Sequence, residues 1–142
     1  MSPVAQTDAV ATAETQRKAA KRATLATLRS KRRVEKEFTV ALNDGEDPVS
    51  FLFRSIGAQD YDKLITKCPP TRDQQANGAN YDINKLAPLL LARVCVEPVL
   101  DEAEWREIWD SPDWNAGEVA SLFYAAGELC QRGLELNPTE AG

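Results

Sequence analysis

The apolar positions of this chain keep two different periods. Over residues 37–42, Phe38, Val40 and Leu42 alternate with Glu37 and Thr39, the two-residue repeat of a strand with one covered face. Residues 43–48, Asn-Asp-Gly-Glu-Asp-Pro, are turn formers. Alternation then resumes over 49–53, with Val49, Phe51 and Phe53 on one face and Leu52 on the other. Two such runs joined by such a loop predict a β-hairpin. A lone hairpin is marginal, so its aromatic face needs helices over it.

Beyond Ser55-Ile56-Gly57 the period lengthens to that of a helix. Tyr61, Leu64 and Ile65 predict a short helix over 58–66, stopped by Cys68-Pro69-Pro70. Residues 71–80 are polar, turn at Asn77-Gly78, and read as an exposed loop. Asp82 is a plausible N-cap for a helix using Ile83, Leu86, Ala87, Leu90, Leu91 and Val94 and ending before Pro98; Pro88 would end its first turn or kink it. Asp101 caps a helix over 102–109, with Trp105, Ile108 and Trp109 on its apolar edge and Ser111-Pro112 beyond it. Asn115 caps the clearest helix, whose stripe runs Val119, Leu122, Phe123, Ala126, Leu129, Cys130 and Leu134 before Asn137-Pro138.

The expected fold is therefore α+β: an N-terminal basic helix or arm, one β-hairpin, then about four helices packed in a small bundle. The expected divisions are a basic arm at 1–33, a single α+β domain at 34–136 and a disordered tail at 137–142. Within the arm, residues 15–33 lack Gly and Pro and favour a helix. Its stripe of Ala23, Leu25, Ala26, Leu28 and Val34 is narrow, so that helix would need a partner to be firm. The first dozen residues read as disordered.

Charge sharpens this division. Residues 1–33 carry eight bases against two acids, and the remainder nine bases against twenty acids. The arm is either an electrostatic tether for nucleic acid or an acidic surface, or a solvated segment. It has no aromatic residue to stack on bases, which makes nucleic acid the less favoured partner. The apolar run 89–96 is short and broken by Arg93, and the N-terminus has no secretory h-region, so neither membrane nor export is expected.

Candidate chemistry is sparse. There is no histidine, which excludes Ser-His and Cys-His nucleophile pairs, and no glycine-rich phosphate cradle. The three cysteines, Cys68, Cys95 and Cys130, are widely spaced and read as small buried hydrophobes rather than a metal or disulfide set. No catalytic residue, cofactor or metal is expected, and the chain reads as a cytosolic binding protein and not an enzyme.

Three blocks resemble one family. VSFLFRSIGAQDYDKLITKCPPT (49–71) is similar to the middle of tail assembly chaperones from long-tailed bacteriophages, particularly those of actinobacteria. There an apolar strand runs into Ile-Gly, a Tyr-containing helix and a Pro-Pro-Thr turn. YDINKLAPLLLARVCVEPVLDEAEWREIWDS (81–111) resembles their next block, and WNAGEVASLFYAAGELCQRG (114–133) their closing helix. The likeness spans roughly 38–136. Cys68 stands where the family pattern has histidine, so no role is carried over to that side chain, and the basic arm matches no shared motif.

The resemblance implies a non-enzymatic role in virion assembly. Such chaperones coat the apolar stripes of the tape measure protein in the host cytoplasm until tail tube subunits polymerise around it, and they are absent from the finished virion. Many are also made as a longer frameshift product. The implied partner is the tape measure protein, with the tail tube protein and self-association as open alternatives. Competing readings are a minor virion component (tail completion or head-tail connector) and a nucleic-acid-binding regulator. An apolar groove on such a domain would find its anchors among Trp105, Trp109, Trp114, Phe123 and Tyr124, since aromatics dominate contact energy; the alternative is that they simply form the core.

Overall fold

The structure, a computed structural model, describes residues 20–138. The chain divides into two compact units, Met1–Arg32 and Arg33–Gly142. In the first, the described residues form one short helix, α1 (Leu25–Arg29). Thr24 and Thr27 close a capping box at its start, and none of its residues is buried. The helix expected over 15–33 is corrected: residues 20–24 and 30–33 are not helical, and 15–19 lie outside the described residues, as do the first dozen residues and 139–142.

In the second unit the two alternating runs form β1 (Glu35–Val40) and β2 (Val49–Arg54), paired antiparallel with Phe38 opposite Phe51 and Val40 opposite Val49. Directly opposed residues share a face, so these four side chains point to the same side of the sheet. On the opposite face Arg54 and Glu35 form an ion pair at 2.6 Å. The first strand lies two residues earlier than its alternation suggested. Pairing stops at Val40–Val49 because the next partner is Pro48, which has no N–H for the ladder. Leu42 is thereby left in the loop, where Gly45 takes a positive φ of 81°.

Five helices follow: α2 (Ala58–Lys67), α3 (Arg72–Ala76), α4 (Ile83–Val94), α5 (Glu102–Asp110) and α6 (Ala116–Gln131). The architecture is a mixed α+β domain with a three-stranded antiparallel sheet. Its third strand, β3 (Cys95–Glu97), pairs with β2 to give the order β1-β2-β3. The helix expected to end before Pro98 stops at Val94, and Cys95, read with the apolar helical pattern, is instead extended. Pro98 disfavours helical geometry at Glu97, and the chain turns extended after Val94 in time to meet Phe53.

Two further boundaries differ. The polar stretch 71–80 holds α3, because Thr71 and Gln74 form a capping box that stabilises a single turn. The last helix ends at Gln131 and not near Asn137: Gly133 disfavours continuation, and Leu134 is exposed with no surface to pack on. The core lies between the inner face of the sheet and α4–α6. Phe53, Leu86, Leu90, Val94, Trp105 and Leu129 are fully buried in it.

Candidate partner-binding site

The five aromatic candidates do not converge on one surface. Trp105 is only 1% exposed and stacks beside Phe51 at 6.4 Å, so its proposed role as a partner anchor is corrected: it is core. Its indole N–H is buried without an acceptor. Phe123 is likewise buried and packs against Tyr81, Trp109 and Tyr124, so it supports a surface rather than presenting one. Trp109 is half-buried, edge-on to Phe123, and its Nε1–H donates to Asn84 Oδ1 at 3.2 Å. Its polar atom is committed within the fold.

Trp114 and Tyr124 remain at the surface, in two separate recesses on either flank of α6. The first is a groove of about 380 Å³ between the hairpin end and the start of α6, with Val40, Leu42, Trp114 and Leu122 as its apolar lining. Trp114 is placed by the short α5–α6 connection, where its N–H donates to the Ser111 carbonyl at 3.3 Å. Asn115 and Glu118 then lock the first turn of α6, each side chain accepting from the other's backbone N–H at 2.8 and 2.9 Å. Opposite them the inner face of the sheet runs past its helical cover. Phe51 is buried, whereas Val40 is 39%, Val49 38% and Leu42 40% exposed. Asp113, Glu118, Asn43, Ser121 and Ala41 complete the lining, and among the described residues no base lines the groove.

The second recess, about 450 Å³, is lined by Tyr61, Tyr81 and the 61%-exposed Tyr124, with Phe123 behind them. Several of its polar groups are paired internally. Gln131 Nε2 donates to the Tyr61 hydroxyl at 2.8 Å, and Arg132 pairs bidentately with Glu128 at 2.8 and 3.1 Å. That hydrogen bond holds the Glu128 carboxyl below its usual range, while burial pushes the Tyr61 and Tyr81 phenols up. The two charged side chains that line this recess, Glu128 and Arg132, are already paired with each other. The groove has open apolar surface and uncommitted acid.

The thiols do not add chemistry to either site. Cys68 and Cys95 are buried, and Cys130 is half-buried. Burial pushes all three up, Cys95 to about 11, so they stay protonated near neutral pH. Among the described residues no three of Cys, Asp and Glu converge as a metal site, and no helix is long and apolar enough to cross a membrane.

Val40, Leu42 and Val49 were missed as surface residues because their periodicity assigns them to a covered face, whereas Leu122 is half-buried against the core and only its edge lines the groove. That assignment is right about direction and silent about where the cover ends. Comparison with known proteins found no match to this chain among family profiles, curated proteins or solved structures.

Proposed function

We propose that this chain holds an apolar helix of another polypeptide in the groove between Val40 and Trp114, acting as a phage tail assembly chaperone for a tape measure protein. The observation that carries the reading is the partial exposure of Val40 (39%) and Val49 (38%) at the end of the inward-facing apolar row, with Val40 lining the same groove as the Trp114 indole. The three sequence blocks similar to tail assembly chaperones supply the partner's identity. A tape measure presents a long apolar stripe that water does not tolerate bare. A shallow groove binds such a stripe weakly enough to be displaced when tube subunits arrive, in the manner of helix-in-groove recognition. The chaperone then works in the host cytoplasm and leaves before the virion is complete.

The test is coexpression with a phage tape measure protein. That protein should be soluble only when this chain is present, and Leu122→Asp, which places a charge in the groove, should return it to the pellet. Insolubility with the wild-type chain would overturn the reading, as would abundant peptides of this chain in purified virions.

A further inference from the structure

The walls of the groove share an unusual charge distribution. Residues 41–53 hold three acids and residues 107–131 five, and neither stretch contains a single lysine or arginine. Asp113 and Glu118 line the groove, and the hairpin loop that leaves it at Asn43 carries Asp44, Glu46 and Asp47. The ion pairs among the described residues are Arg54–Glu35, Arg106–Asp110 and Arg132–Glu128, and none involves these five carboxylates. Glu46 and Glu118 each accept one hydrogen bond from an asparagine, Asn43 Nδ2 and the Asn115 backbone N–H respectively, and neither meets a base among the described residues.

Unpaired like charges at one end of a domain repel one another and lower its stability. Beside an apolar cleft they also create a negative potential that draws in cations. Solubility alone would be served as well by acids spread over the surface.

We infer that the segment held in this groove is an amphipathic helix whose apolar stripe is flanked by lysine or arginine, its bases reaching the Asp113–Glu118 rim and the Asp44–Asp47 loop while its aliphatic side chains cover Val40, Leu42 and Trp114. This rests on the groove being the peptide site proposed above, and adds the charge of the occupant. The rim then acts chiefly on the rate of capture and on the choice of partner, and the apolar floor on retention.

Two labelled helical peptides with the same leucine–alanine stripe, one flanked by lysines and one by glutamates, test this against the full chain by fluorescence anisotropy. At low salt, about 0.02 M, the lysine-flanked peptide should bind at least about tenfold more tightly. That margin should shrink several-fold at about 0.3 M salt. Asp113→Asn with Glu118→Gln should reduce the margin about threefold without changing the circular dichroism, since glutamine preserves the capping box. Equal binding of the two peptides, lost for both in Leu122→Asp, would overturn the inference and leave the groove intact as a peptide site. Binding of neither, or binding that survives Leu122→Asp, would overturn the groove reading and the inference with it. The same holds for a concentration-dependent dimer that Leu122→Asp dissociates without any peptide binding, since a second copy would then be the occupant.

Discussion

Arg106 donates a hydrogen bond to the Asn84 carbonyl at 3.0 Å. In an unbroken helix that oxygen belongs to the N–H of residue 88, and residue 88 is proline. The guanidinium of α5 thus replaces the bond that α4 cannot make for itself, and Trp109 Nε1 adds a second bond to the Asn84 side chain. These two links fix α5 against α4 and hence the short connection that carries Trp114 to the groove.

Coupling between these positions is the expected consequence. Arg106→Leu should cost roughly 1 kcal/mol, below the usual range for a charged donor because the side chain is part-exposed. In a Pro88→Ala background the restored N–H can reach Asn84, and the Arg106→Leu cost should fall to about half or less. Urea unfolding of the four proteins measures it. Equal costs in both backgrounds would show that Arg106 does not serve this carbonyl.

Trp105 and Trp114 should separate stability from binding. Trp105→Ala should cost about 3–5 kcal/mol, as for other buried tryptophans. Trp105→Phe should cost far less, about 1 kcal/mol, because the lost N–H had no acceptor to leave behind. Trp114→Ala should change the urea midpoint little and weaken peptide capture at least about tenfold. A large stability loss in Trp114→Ala would make it a core residue.

The groove depends on the start of α6. Asn115→Ala removes the cap and should destabilise by about 1 kcal/mol. It should also loosen the connection holding Trp114, seen as greater acrylamide quenching of Trp114 in a Trp105→Phe, Trp109→Phe background. Unchanged quenching would mean the capping box has no part in placing the indole.

Alkaline pH should weaken the fold. Burial raises Cys95 from 9.0 to about 11, so the native state keeps a proton that the unfolded chain releases. Cys68, Cys130, Tyr61 and Tyr81 are raised for the same reason. Their contribution is therefore intact below about pH 9 and is lost as pH climbs toward 11 and beyond, on the order of 2 kcal/mol for Cys95 alone. Urea midpoints at pH 8 and pH 10.5 should differ accordingly, and Cys95→Ala should reduce the difference. A flat profile would place these groups in contact with water.

The elements legible in the sequence are those whose causes lie within a few residues. Asp82, Asp101 and Asn115 satisfy the first N–H groups of their own helices, and the alternation of Phe38, Val40, Val49 and Phe51 sets one face of a hairpin. The turn at α3 was equally local, since Thr71 and Gln74 spell a capping box, and was overlooked among polar neighbours. β3 was not legible, because Cys95 extends to pair with Phe53, forty-two positions away, and no local pattern reports a distant partner.

The same limit separates the tryptophans. Sequence alone determined that three indoles sit on or beside apolar helix edges, in a chain with a basic beginning and an acidic remainder. Only the tertiary packing decided that Trp105 is sealed against Phe51 while Trp114 lines a groove at the less covered end of the sheet row. Burial depends on what the rest of the chain brings into contact, and a side chain's own neighbours in sequence carry no record of it.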